Sequence, residues 1–224
     1  MKLKIKFDTS KGRILFCSDL HYGHANIIKI NPNTRGHWSS VEEMNSWIEN
    51  KVWESLRPGD TLFDLGDLFW KTDTTEIDRV LGKVDLETIN LYKIMGNHDA
   101  YGLYHLPQEP MRKYYFGPGS ISDLLDIQVR HEGVDYFLTL CHYPMVSWNH
   151  KPYGALMLHG HCHGNIDEFN ESNTDLRVDV GMDGSLSQSL GTPLIDFVDI
   201  LDYFKNKTGD LDFYKYVKNK GKNL

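Results

Sequence analysis

Short apolar runs recur along the chain and alternate with stretches of helical period. Arg13-Ile14-Leu15-Phe16-Cys17 and Thr61-Leu62-Phe63-Asp64-Leu65 have the length and density of buried strands, and Tyr92–Met95 is a weaker third. Val134–Cys141, Ala155–Leu158 and Leu176–Val180 continue the series. The opening Met1-Lys2-Leu3-Lys4-Ile5-Lys6-Phe7 alternates cationic and apolar residues, which predicts a half-buried strand and lacks the continuous apolar core of a signal peptide. Helices fit between the runs. Ser39-x-x-Glu42 and Ser40-x-x-Glu43 both carry the capping-box pattern, Val41, Met44, Ile48, Val52 and Leu56 follow at helical spacing, and Pro58-Gly59 ends the run. Asp73-x-x-Glu76 opens a second helix with Ile77, Val80, Leu81 and Val84 on one face. Strands alternating with helices predict an α/β sandwich. The Gly- and Pro-rich stretch from 100 to 119 reads as a surface excursion, either a lid or a plain loop.

Composition narrows the class. The 224 residues are 40% hydrophobic and 25% charged, which excludes a disordered chain. That length, with no linker or repeat, predicts a single domain over 1–224, with 203–224 as a C-terminal extension. No apolar run approaches the ~18 residues that cross a bilayer, so the chain reads as cytoplasmic. The net charge of −7, from 24 Lys+Arg against 31 Asp+Glu, disfavours a protein that grips extended nucleic acid through its phosphates. The basic cluster Lys215, Lys218, Lys220 and Lys222 reads as a solvated tail. Three cysteines are too few for a disulfide framework. Cys17, Cys141 and Cys162 read as small packing residues.

The chemistry lies where the apolar runs end. The first is followed by Ser18-Asp19-Leu20-His21, the second by Gly66-Asp67 and the third by Gly96-Asn97-His98-Asp99. The next two lead into His142-Tyr143-Pro144 and His159-Gly160-His161-Cys162-His163. Ligands of open α/β sheets bind beyond the carboxyl ends of strands, so these five segments can build one composite site. Carboxylate oxygen and imidazole nitrogen suit Zn²⁺, Mn²⁺ or Fe²⁺, and one carboxylate can bridge two cations ~3.5–4 Å apart that hold a hydroxide. If the backbone is extended there, Asp19-x-His21 and His161-x-His163 each place both side chains on one side. Singly each pair is weak; the ordered set of five is not.

The set Asp-x-His, Gly-Asp, Gly-Asn-His-Asp, a single His and Gly-His-x-His resembles the calcineurin-like metallophosphoesterases, in order across residues 19–163. Val178–Asp183 looks like the strand that closes the family's sheet, and Ser18–Ile28 is similar to a compact branch of bacteria and their phages. The resemblance implies the family's four-layer fold, a two-sheet β-sandwich of mixed strands flanked by helices, in a bacterial cell or a phage-infected host. It implies two divalent metal ions (Mn, Zn, Fe or Ni), one held by Asp19, His21, Asp67 and His163. Asp67, Asn97, His142 and His161 would hold the other, with Asp67 bridging. His98 matches the proton donor to the leaving group, and Asp67 belongs with it to the catalytic machinery. Some relatives orient that histidine with an acid shortly after Gly-Asp. Here Leu68-Phe69-Trp70-Lys71 supplies none, which leaves Asp99 for that role or for the backbone of its own turn.

His24, Arg35 and Asn97 are candidates to touch substrate, Arg35 as a planar clamp on phosphate oxygens. Trp70, Tyr101, Trp148 and His150 are candidates to line the cleft. His37, His105 and His131 read as surface residues, and His159 as a strand-end residue. The implied activity is dinuclear metal-dependent hydrolysis of phosphoester bonds, in a monoester or a diester, with hydroxide attacking phosphorus and His98 as general acid. The expected partner is a small phosphoester or nucleotide. The competing readings are a non-catalytic metal-binding scaffold of the same fold and a nuclease.

Overall fold

The computed structural model describes residues 5–70, 74–99, 114–115 and 120–209, and these form two five-stranded mixed sheets. One sheet has the order β1 (Ile5–Asp8), β6 (Leu124–His131), β7 (Val134–Cys141), β8 (Leu156–His159), β9 (Arg177–Asp179). The other runs β10 (Ile195–Asp196), β2 (Ile14–Cys17), β3 (Thr61–Asp64), β4 (Asn90–Ile94), β5 (Ile121–Ser122). All neighbours are parallel except β6–β7 and β10–β2. Every residue of β2, β3 and β8 is buried, and Ile14–Cys17 of β2 and Leu156–Leu158 of β8 accordingly run apolar without alternating.

Alternation along β2 divides two cores. Ile14 and Phe16 face the other sheet and pack with Phe63, Leu138, Leu140, Leu158 and Val178. Leu15 and Cys17 face outward to Met44 and Ile48 of the helix Val41–Lys51 and to Ile77, Val80 and Leu81 of the helix Thr74–Leu81. Ser40 caps the first of these, its hydroxyl accepting the Glu43 N–H at 3.1 Å, while Glu43 reaches back to the Ser39 N–H at 2.8 Å. The long parallel crossovers β2–β3 and β3–β4 carry these helices, as parallel pairing requires.

The register places the site. Cys17 pairs with Asp64 and Asp64 with Lys93, so the loops after β2, β3 and β4 leave the sheet at one level. The two sheets meet there through a parallel bridge between Ser18 and Gly181, beyond the ends of β2 and β9.

β6 adds a strand to those named from the apolar runs: its inward Leu125, Ile127 and Val129 alternate with Asp126, Gln128 and Arg130, the pattern of a half-buried strand and not of an apolar run. It joins β7 through Glu132 and Gly133, both left-handed at φ 48° and 81°, as the favoured two-residue hairpin turn requires. Position 203 lies within the helix Phe197–Thr208, whose Phe197, Ile200, Leu201 and Phe204 are buried in the inter-sheet core. Asp196 caps that helix. The excursion at 100–119 lies outside the described residues apart from Tyr114 and Tyr115, both buried. The basic tail from 215 also lies outside them.

Candidate metal centre

Seven non-glycine residues among those described have positive φ, and five are candidate ligands: Asp19, His21, Asp67, His161 and His163, at 54°, 49°, 56°, 68° and 49°. Left-handed backbone costs a side-chain-bearing residue on the order of 1–3 kcal/mol and persists where the surroundings hold it. Both named residues of Asp19-x-His21 and of His161-x-His163 are therefore presented from left-handed backbone. The extended backbone expected from the sequence is not what aligns them. The preceding glycines allow the loops to approach: a Cβ on Gly96 would stand 2.2 Å from Asp67 Oδ1, and one on Gly160 2.2 Å from Asp19 Oδ2.

Asp19, His21 and His163 converge on one side of this centre. Their ligand atoms lie within 4.8 Å of one another. Asp19 Oδ1 is 3.9 Å from His21 Nε2 and 3.8 Å from His163 Nε2, and His21 Nε2 is 3.9 Å from Asp67 Oδ2. Asp19 Oδ2 accepts the His161 N–H at 2.9 Å, but the buried Oδ1 has no hydrogen-bond partner. A buried carboxylate oxygen left so costs ~1–3 kcal/mol. Burial pushes the Asp19 carboxyl up to about 6 and the His21 imidazole down to about 2, so His21 is a neutral donor at physiological pH. An orphaned carboxylate oxygen facing imidazole nitrogens, that of His21 neutral, fits a divalent cation.

His142, Asn97 and His161 converge on the other side. Asn97 Oδ1 lies 3.1 Å from His142 Nε2 and 2.9 Å from His161 Nδ1. His142 Nε2 is 3.5 Å from Asp67 Oδ2, and its Nδ1 is 2.8 Å from the Leu65 carbonyl. Both nitrogens of His142 thus face oxygen acceptors. Burial opposes its charge, but Asp67 and Asp19 outweigh it and push the imidazole up to about 9. Burial also opposes the charge of Asp67, and His142 with the His98 N–H nevertheless holds its carboxyl well below the usual range. Asp67 Oδ2 lies within 3.9 Å of His21 Nε2, 3.5 Å of His142 Nε2 and 3.8 Å of His98 Nε2.

A buried ion cluster supports the Asp67 turn. Lys93 Nζ, fully buried, lies 2.7 Å from Asp64 Oδ2 and 2.9 Å from Asp99 Oδ2. Asp99 Oδ2 also accepts the N–H groups of Asp67 at 2.7 Å and Gly96 at 3.0 Å. Of the two roles open to Asp99, it performs the one on the backbone. Trp70 occupies the stretch that lacks an acid: its ring lies 4.5 Å from that of His98 and flat against His24 at 3.5 Å.

Several expected residues are placed otherwise. Arg35 is fully buried, and its guanidinium contacts Asp183 and the carbonyls of Asp19 and Leu20, so it is not an open phosphate clamp. His24 is 5% exposed against Trp70, rather than open to an incoming phosphate. Trp148 packs with Cys141, Ala155 and Met157 on the outer face of its sheet, not in the cleft. His150 lies 5.2 Å from Phe137, ring to ring. His37 is exposed, and His131 is half-buried beside Thr9. His159 is buried at its strand end, and Tyr101 and His105 lie outside the described residues. Cys17 and Cys141 are buried free thiols, and burial pushes Cys162 up to about 11, which keeps it protonated. Asp183 and Lys93 were not singled out from sequence. A Gly-x-Asp just past a strand end was the available signal for Asp183; a lysine within a strand gives none.

A cavity of about 470 Å³ opens at the other end of the strands, lined in part by Lys6, Phe7, Tyr92 and Arg130, and contains no candidate ligand.

Among described residues no helix is long and apolar enough to cross a membrane. The pattern of the calcineurin-like phosphoesterases matches residues 12–195. The protein MJ1445 of Methanocaldococcus jannaschii is 30% identical over 163 residues, covering 71% of this chain and 75% of that one. The crystal structure of AQ665 from Aquifex aeolicus, a protein of unknown function, has the same fold, with a TM-score of 0.58 and 22% identity over 85% of this chain and 98% of that one. The match spans every strand from β2 to the start of β10 and every segment that converges on Asp67, and on that ground this chain belongs to the calcineurin-like phosphoesterase family.

Proposed function

We propose that this chain hydrolyses phosphoester bonds of small molecules using two divalent cations that share Asp67. The observation that carries the reading is the position of Asp67 Oδ2, within 3.9 Å of His21 Nε2 and 3.5 Å of His142 Nε2, between two donor sets of the same chemistry. Asp19, His21 and His163 would complete one site, and Asn97, His142 and His161 the other. When bound, such a pair of cations neutralises phosphoryl oxygens and makes a water nucleophilic at neutral pH.

The chain's own residues do the rest. Left-handed loops present the ligands from both sheets around one point, so a phosphoryl group held there is oriented, and orientation of that kind lowers the barrier. His98 is one-third exposed beside the buried ligands, with Nε2 3.8 Å from Asp67 Oδ2. From there it can protonate the departing oxygen as a general acid. Trp70 packs against its ring and restricts it to that side.

A hydrolysis panel tests this reading, with an aryl phosphate monoester, an aryl phosphodiester and cyclic nucleotides offered to protein supplied with Mn²⁺, Zn²⁺, Fe²⁺ or Ni²⁺. Turnover of at least one substrate that depends on added metal is expected. No turnover with any combination would move the chain to a metal-binding scaffold.

A further inference from the structure

The two ring nitrogens of His163 face different groups. Nε2 lies 3.3 Å from His21 Nε2 and 3.8 Å from Asp19 Oδ1, while Nδ1 lies 2.7 Å from Asp183 Oδ2. A nitrogen that close to a carboxylate oxygen carries the proton. Asn31 Nδ2, 3.1 Å from the same nitrogen, therefore donates to Asp183 Oδ2, 3.3 Å away.

Asp183 is itself fixed. Arg35 Nε donates to Oδ1 at 2.9 Å and Arg35 Nη2 to Oδ2 at 2.7 Å, a two-pronged contact with both side chains buried. Thr34 Oγ1 adds a bond to Oδ1 at 2.5 Å. The same guanidinium reaches the Asp19 carbonyl at 2.5 Å and the Leu20 carbonyl at 3.0 Å. Arg35 therefore touches the left-handed segment that presents Asp19 and the carboxylate that holds His163. A buried ion pair contributes little net stability, so stability alone gives no reason for this one.

We propose that Arg35 and Asp183 are positioning residues for the metal ligand His163: Arg35 orients the Asp183 carboxylate, Asp183 accepts a hydrogen bond from the Nδ1–H, and Nε2 is left facing Asp19 and His21. This rests on the metal-pair reading above. Partners of this kind behind a ligating histidine typically change metal affinity by ~10–100-fold.

The test measures Mn²⁺ binding to metal-stripped protein by titration calorimetry in wild type, Asp183→Asn, His163→Ala and the double variant. In wild type two ions are expected. Asp183→Asn should weaken one of them ~10–100-fold and leave the other unchanged. In the His163→Ala background the same substitution should change neither. Equal weakening of both ions, the same loss in the His163→Ala background, or wild-type affinities in Asp183→Asn would each overturn the proposal. Fewer than two ions in wild type would instead overturn the metal-pair reading, and the proposal with it.

Asp183→Asn leaves Arg35 without its counter-charge, so a second measurement uses the wild-type chain. Proton–nitrogen correlation of the histidine rings in metal-stripped protein should find a proton on His163 Nδ1. A ring protonated only at Nε2 would contradict the proposed role.

Discussion

The His98 N–H donates to Asp67 Oδ1 at 2.9 Å, while His98 Nε2 stands 3.8 Å from Asp67 Oδ2. The backbone of the proton-donor candidate is thus tied to the carboxylate proposed to bridge the cations, while its ring packs against Trp70.

If His98 is a general acid and not a ligand, His98→Ala should lower kcat by 10²–10⁴-fold, the usual scale for that role, with metal content unchanged. Its ring does come within 4.8 Å of His21 and Asp67 ligand atoms, so the metal content is the informative half of the result. Loss of a cation in this variant would make His98 a ligand.

Lys93 is expected to matter for folding before it matters for chemistry. Removing its ammonium leaves Asp64 and Asp99 buried together without a counter-charge. Lys93→Met should therefore cost ~3–5 kcal/mol, the scale for breaking a buried pair by deleting one partner. Urea unfolding of metal-stripped wild type and variant measures it. A loss under ~1 kcal/mol would mean that the cluster is not held as a buried ion pair.

The metal-stripped protein should also be pH-dependent in a defined direction. His142 is raised from its ordinary 6.5 to about 9, so its stabilising contribution is fully present below pH 6.5 and is lost as pH rises through 9. Asp19, raised to about 6, acts in the lower window, from its ordinary carboxylate range up to pH 6. The thermal midpoint of metal-stripped protein should fall between pH 6.5 and 9. A cation at His142 Nε2 must expel that proton, so metal affinity should rise across the same window. Titration at pH 7.5 in buffers of different ionisation heat should find net proton release on metal binding. No proton release would place His142 outside the metal site.

Much of this arrangement is legible in the sequence. The strands β2, β3, β7 and β8 follow from apolar runs, and each candidate ligand follows from what terminates a run. The left-handed turns at Asp19, His21, His161 and His163 were not legible, because nothing in Asp-x-His or His-x-His distinguishes an extended pair from a turned one. Arg35 looked like a phosphate clamp because a loop arginine near a metal motif has the right chemistry. Its actual partner, Asp183, lies 148 positions away, and no local pattern joins them. Lys93 was invisible for a related reason: a lysine within a strand reads as exposed until its two buried carboxylates are known.

The central claim is that Asp67 serves two cations at once, and Asp67→Asn tests it most directly, since it removes the charge and keeps the volume. The measurement is elemental analysis of metal per chain alongside turnover of an aryl phosphoester, in variant and wild type prepared together. The account predicts two cations and turnover in wild type. In the variant it predicts fewer than two cations and no turnover, with the metal-stripped chain still folded on its own apolar cores. Two cations and near-normal turnover in Asp67→Asn would contradict the bridging role and the dinuclear chemistry built on it.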